Sequence, residues 1–517
     1  MNIIYYETGD IDMGIEINNQ VEKIQSAEIE KAIVNCKTKF NNIVSELLSV
    51  TKDANEVEMS IFKHLMELGL MLLSLYFSKF NNGNYGKIIM TAEGDAIRGD
   101  KSDRKYFSIF GKITITRHLY YVKGKTLAIL DIMLNLPKRQ YSYFLSEITS
   151  TLAVNKAYGN AVNFLKKYFY VKLSVSAAET IVEGTSKEYE EYYSELINNN
   201  DMENIEQKER YTVASFDGKG VPMIKKEAAK IVARLGKGEK KQKTKEALVG
   251  VKYNIKPNVR TAEEVATNLV YPEQKEERNN EEGRHKNKAE NKRYIASIEK
   301  PKKQVMQEIH DSIEKDDFSK KPLICVMDGA LVLWQLFENI FSDIINKKLI
   351  LDIIHVVEYI WIVSHVKHKE GSAKAKKYVY EKLLLILQGK ILIYIKELEE
   401  ELKQKKYSKK KKEKISKVIT YFINHKEYMM YDDYLLNGYP IGSGVVESAC
   451  GHLVKDRMGI SGARWGINGG ESLLKLRSLI KSEDWEQYWD YYLSQAKDKK
   501  INKFFPDEYY ESLNLAA

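Results

Sequence analysis

Only three cysteines occur among 517 residues, Cys36, Cys325 and Cys450, and no two share a CxxC spacing. That scarcity excludes a disulfide framework and a thiolate zinc cluster, and it fits a reducing compartment. Long apolar runs are missing as well. The longest, residues 68–77, falls far short of the roughly 20 needed to span a bilayer. Residues 349–363 are apolar too, but Asp352, His355 and Glu358 interrupt them. The opening MNIIYYETGDIDMG lacks a basic segment followed by an apolar one, so no signal peptide is expected. These absences lead to the expectation of a cytoplasmic protein with no membrane partner. A strong excess of one charge is also lacking. Lys and Arg number 81 against 72 Asp and Glu, a net +9 that is compatible with a polyanionic partner without requiring one.

What is present is a globular composition, 44% hydrophobic and 11% aromatic, in a chain long enough for two to four domains. Residues 1–95 read as a helical region: Val57, Ile61, Leu65, Leu68 and Leu72 recur at spacings of three and four. Residues 96–208 read as a β-hairpin, centred on 106–122, followed by short helices. Ser176 is the expected N-cap of one of these, with Glu179 at the capping-box spacing. The brief turn at 173–175 suggests a helix-turn-helix-like DNA-binding region, with a plain helical bundle as the bland alternative. From 209 to 358, strands at 211–217, 245–255, 321–328 and 348–355 interleave with helices at 301–315 and 331–345, which predicts an α/β core. Residues 273–293, rich in Glu, Asn, Lys and Arg, read as a solvated loop. Residues 359–436 form a helical insertion that carries the cationic run KQKKYSKKKKEK at 403–414, and 437–517 complete the core.

Three carboxylates stand out. Asp217 in TVASFDGKG and Asp328 in LICVMDGA each end an apolar run and precede a glycine. Glu447 follows a Gly-Ser-Gly turn in YPIGSGVVESACGHLVKDRM, just inside an expected helix. A carboxylate at the end of a buried strand is costly unless its charge is matched, so two of them imply a counter-cation. Mg²⁺ accepts carboxylates together with phosphate oxygens and water. A lone Asp-Gly after a strand is more often a turn than a ligand, and it is the set of three that points to a metal.

The segments SFDGKGVPM, VGVKYNIKPNVRTAEEV, KPLICVMDGALVLW, ILDIIHVVEYIW, YPIGSGVVESACGHLVKDRM and GARW, in this order, resemble the DDE transposases of bacterial insertion sequences, Kra-four family. The resemblance runs from about Phe110 to about Trp489. It implies an α/β fold with a ribonuclease-H-like mixed-sheet catalytic core and a helical insertion. Before the core would come a mostly helical N-terminal region with a β-hairpin. Asp217, Asp328 and Glu447 would be the acidic triad, binding two Mg²⁺ (or Mn²⁺). The implied activity is cleavage of double-stranded DNA at terminal inverted repeats and strand transfer into target DNA, by a homodimer on paired ends. Asp352 and His355 resemble an Asp-x-x-His motif that supports catalysis in related transposases. Lys455, Arg457, Arg464 and Trp465 are candidate DNA contacts, and the lysine-rich stretch 237–245 adds cationic surface. Trp361 and Trp465 are read as packing before stacking, Cys450 and His452 as packing, and His365 and His368 as a solvated helix face. A two-metal nuclease without strand transfer and a catalytically silent, transposase-derived DNA-binding protein are the alternatives.

Overall fold

The computed structural model describes residues 11–49, 53–198, 210–231, 243–273, 287–314, 316–404 and 407–505. It divides into two compact units, Met1–Thr185 with Trp489–Ala517, and Ser186–Tyr488.

The first unit opens with two helices, Ile11–Ser49 and Ala54–Ser78. Asp53 caps the second by accepting the Glu56 N–H at 2.9 Å. Ion pairs Lys39–Glu67 (2.5 Å) and Glu46–His64 (3.1 Å) run in opposite chain directions and set the two helices antiparallel. Ala54–Ser78 is, by length and composition alone, apolar enough to cross a membrane, and its apolar stretch is mostly unburied. A count of uninterrupted apolar residues passes over this helix, because a helix averages its scattered charges over its whole length.

Four antiparallel strands follow as a meander: β1 (Ile88–Thr91), β2 (Gly94–Ser108), β3 (Gly111–Val122) and β4 (Lys125–Leu127). The hairpin expected at 106–122 is its centre, but β2 begins twelve residues earlier. Its charged segment GDKSDRK hid the strand, because the side chains on one face point to solvent. Beside this sheet Asp131, on the short helix Ile129–Met133, receives Arg104 at 2.5 Å and Arg117 at 2.9 Å. Helices Tyr143–Asn155, Tyr158–Tyr168 and Val175–Thr185 complete the unit. The cap of the last is Ser174, whose hydroxyl accepts the Ala177 N–H at 3.0 Å. Ser176 lies two residues too late, inside the helix.

The second unit is built on a five-stranded mixed sheet in the order β7-β6-β5-β8-β9. Its strands are β5 (Tyr211–Pro222), β6 (Thr244–Ile255), β7 (Glu290–Ser297), β8 (Leu323–Met327) and β9 (Lys347–Leu351). β5 pairs antiparallel with β6 and parallel with β8; β6–β7 is antiparallel and β8–β9 parallel. β8 is buried at every position, as a central strand with both faces covered must be. Three expectations shift. β5 does not end at Asp217: Gly218 pairs with Leu248 in unbroken register, so this Asp-Gly is strand rather than turn. β9 stops at Leu351, because Asp352 caps the helix Ile353–Lys367 by accepting the Ile354 N–H at 3.0 Å. The expected loop 273–293 ends in strand β7, where Arg293 is buried; residues 274–286 of it lie outside those described.

After β9 the chain is helical, in Ile353–Lys367, Ala373–Leu387, Ile391–Gln404, Lys409–His425 and Tyr431–Leu436. This block then returns to the sheet: Ile353 N–H donates to the Ile441 carbonyl at 2.9 Å, and the Tyr431 hydroxyl to the Leu351 carbonyl at 2.6 Å.

Candidate functional site

The parallel pairing of β5 and β8 aligns Val213 with Ile324 and Ala214 with Cys325. Asp217 and Asp328 each lie four residues beyond Val213 and Ile324, so they reach the same level of two adjacent strands. Sheet geometry, with neighbouring strands roughly 4.8 Å apart, thus holds two carboxylates side by side. Asp217 Oδ1 accepts the Gly218 N–H at 2.7 Å, and the Cys450 thiol donates to the same carboxylate. Partial burial pushes the Asp217 carboxyl above the usual range, and the neighbouring Asp328 charge pushes the same way. The Cys450 and Gly218 hydrogen bonds oppose both. Burial, followed by the Asp217 charge, holds the Cys450 thiol protonated, as a donor rather than a metal-binding thiolate.

Asp328 follows the last residue of β8 and accepts the Ala330 N–H at 3.1 Å. Its own carbonyl accepts the Trp334 indole N–H at 2.8 Å. The next carbonyl, of Gly329, lies 3.0 Å from His425 Nε2. A Cβ on Gly329 would come within 2.4 Å of the Tyr421 ring, so this glycine is fixed by close packing. Tyr421 in turn stacks on Tyr359 at a centroid distance of 3.7 Å.

Glu447 lies exposed in the first turn of the short helix Gly444–Ala449, and its Oε1 is 3.2 Å from the Ser443 hydroxyl. That hydroxyl also meets Asp352 Oδ2 at 2.5 Å, while the Ser443 N–H donates to Asp352 Oδ1 at 3.2 Å. Asp352 has no exposed surface, and three N–H or O–H groups surround its carboxylate. His355 is half-buried, its Nε2 at 4.0 Å from Asp352 and its Nδ1 at 3.2 Å from Glu358. Asp352, His355 and Glu447 offer ligand atoms within 4.8 Å of one another. At that spacing Glu447 groups with these two and not with Asp217 and Asp328, since its carboxylate turns to Ser443, which also holds Asp352. The link to the aspartates runs through Cys450, one turn beyond Glu447, which reaches Asp217. Asp352 accepts three hydrogen bonds, Asp217 two and Asp328 one, so the strand aspartates keep more acceptor capacity free. None of Asp217, Asp328 and Glu447 forms an ion pair among the described residues. The charge of Lys219 acts on Asp217 without an ion pair; two strand carboxylates with no ion-paired side chain are a donor set suited to a divalent metal.

Beyond Ala449 the helix widens into a π-helical turn, Cys450–Lys455, before Asp456–Met458. Such turns re-aim side chains at functional sites. Lys455 and Arg464 are exposed, as DNA contacts would have to be. Arg457 and Trp465 are not. They are 3% and 7% exposed, and the guanidinium stands 4.9 Å over the indole ring. Trp465 donates its indole N–H to the Met458 carbonyl at 3.0 Å, and its backbone bridges Pro222 and Ile224. Both residues thus staple the end of β5 to the segment after Glu447: for Arg457 this corrects the reading as a DNA contact, and for Trp465 packing holds over stacking on DNA. Trp361 is half-buried against the His365 ring, at 5.3 Å. His452 packs edge-on against Tyr294. The lysines of 409–414 are exposed on their helix, while most of the stretch 237–245 lies outside the described residues. Sequence reasoning missed Ser443, whose only signal was its place between two glycines, and the donor role of Cys450, which carried none.

The chain matches no known protein-family model and no curated protein.

Proposed function

We propose that this protein is a DDE transposase of the Kra-four type, cleaving double-stranded DNA at the terminal inverted repeats of an insertion sequence and joining the freed ends to target DNA as a homodimer. The observation that carries this reading is the pair Asp217 and Asp328, level on adjacent parallel strands and without a cationic partner among the described residues. The strand order, two antiparallel pairings followed by two parallel ones, supports a ribonuclease-H-like core. Asp217, Asp328 and Glu447 would hold two Mg²⁺ or Mn²⁺. When bound, such ions supply Lewis-acid activation of the attacking oxygen and charge stabilisation of the leaving oxygen.

The chain's own groups do the positioning. Gly218 and Cys450 orient the Asp217 carboxylate. Asp352 and Ser443 fix the start of the helix that carries Glu447. His355, partly exposed beside them, is placed to donate a hydrogen bond to a phosphate oxygen, and Lys455 and Arg464 add exposed positive charge.

The test incubates purified protein and Mg²⁺ with DNA carrying the inverted repeats that bracket its coding region. Joined products are expected, and their loss in Asp217→Asn, Asp328→Asn and Glu447→Gln. Wild-type cleavage by any of these variants would sink the triad. Nicking without joining would reduce the activity to that of a nuclease.

A further inference from the structure

A second polar cavity, of about 660 Å³, opens along the outer strand β7, among residues of the β6–β7 edge and the segment 481–487. Lys252, Lys292, Arg293 and Lys481 converge on it. Lys252 and Arg293 are cross-strand partners, and a register shift follows at Lys252/Asn254. Arg293 is 6% exposed and lies flat over the Tyr193 ring, at 4.1 Å. Yet its Nε and Nη1 are buried without a hydrogen-bond acceptor among the described residues. The charges of Asp484 and Glu308 act on Arg293 without hydrogen-bonding to it; buried N–H groups with no acceptor are costly, so the pocket presents them to an incoming oxyanion.

The acids nearby are otherwise engaged. Glu290 pairs with Arg210 at 2.7 Å. Asp484 accepts the Tyr193 hydroxyl at 2.6 Å, and burial raises its pKa. Neither Lys292 nor Lys481 forms an ion pair among the described residues. Burial also lowers the pKa of Lys252, a penalty that a bound anion relieves. Four cations face three carboxylates around the cavity, Glu290, Glu483 and Asp484; with Glu290 engaged by Arg210 and Asp484 by Tyr193, the cationic surplus favours an anion, and a planar guanidinium selects oxyanions. The volume exceeds that of a bare inorganic ion and suits a ligand of nucleotide size. The ring of Tyr193 is already covered by Arg293, and Tyr294 is buried, so recognition is of phosphate rather than of a base.

We infer that this cavity is a phosphate-binding site, centred on Arg293 and Lys252 and rimmed by Lys292 and Lys481, that takes a phosphate ester. It stands apart from the carboxylates of β5 and β8 and does not depend on the proposed strand transfer. The phosphate comes either from a soluble ester or from a DNA backbone.

Calorimetric titration of the full-length protein with inorganic pyrophosphate tests it. Binding is expected, weakened about tenfold or more by Arg293→Gln, as loss of a charge-assisted hydrogen bond predicts. The exposed double variant Lys292→Glu/Lys481→Glu avoids any folding defect at the buried arginine, and it should weaken binding at least as much. Competition with a short DNA duplex separates the two sources. Displacement of pyrophosphate, with duplex affinity falling in the same variants, assigns the site to backbone phosphate. Undisturbed pyrophosphate binding assigns it to a soluble ester. No binding at about 1 mM pyrophosphate overturns the site, as does unchanged binding by the folded double variant.

Discussion

In the four-stranded sheet unit, Asp131 is neutralised from within: Arg104 lies 2.5 Å from one oxygen and Arg117 2.9 Å from the other. In the five-stranded sheet, Asp217 and Asp328 are similarly half-buried and stand level with each other, yet no arginine or lysine pairs with them among the described residues. The fold evidently knows how to match a carboxylate with a guanidinium. Where it places two carboxylates together and ion-pairs neither, the charge is left for the divalent ions proposed above. The same logic with the sign reversed marks Arg293, whose Nε and Nη1 are buried without an acceptor among the described residues.

The contrast breaks most sharply in activity. Asp217→Asn or Asp328→Asn should reduce Mg²⁺-dependent DNA cleavage by about 10³-fold, the order expected when a metal's several kcal/mol of charge stabilisation is lost. Asp131→Asn, where it folds, should leave cleavage near wild type; single-turnover assays on end-bearing DNA decide this. In stability the ranking inverts. Asp131→Ala strands two guanidiniums and should cost about 3 kcal/mol in urea unfolding. Gly329→Ala, driving a methyl against the Tyr421 ring, should cost about 1–3 kcal/mol by the same measurement. Ser443→Ala removes a hydroxyl from the buried Asp352 carboxylate and should cost about 1–3 kcal/mol, with cleavage falling as Glu447 loses its anchor. Ser443→Thr should restore part of both.

The smallest effect has the opposite sign. The Asp217 carboxyl is raised above its ordinary range, so the native state holds that proton more tightly than the unfolded chain does. The stability this contributes is present below the unfolded pKa, about 4, and is lost as pH rises through the higher native value. At neutral pH, with divalent metal chelated, Asp217→Asn should therefore unfold at a slightly higher temperature than wild type. The gain should vanish in acid. A gain that persisted in acid would mean that charge is not its cause.

The strands around these carboxylates were legible because buried strands are written as apolar runs, LICVM before Asp328 and VASF before Asp217. The helical insertion was legible from its length and periodicity. The fine placement was not. Asp217 read as a strand end because the run loses its hydrophobicity there, although the pairing with β6 continues to Pro222. β7 was hidden because its first half, ENKR, is polar and continues the charged stretch before it, while its buried part, YIAS, is too short to stand out. Arg457 read as surface because charge does not reveal direction, and a cation–π contact with Trp465 turns it inward. The Asp352–Ser443 contact joins residues 91 apart, beyond any local spacing rule.

That contact has a consequence for the order of assembly. Joining residues 91 apart carries a loop-closure penalty of about 4 kcal/mol, which is recovered only once the intervening helices have packed. β5 and β8 can set the two aspartates side by side without this step, but Glu447 cannot take its place until the helical block is finished. In the proposed triad the glutamate would therefore act as a checkpoint in time. A nascent or truncated chain would hold two of the three acids and lack the third until the helical block was in place.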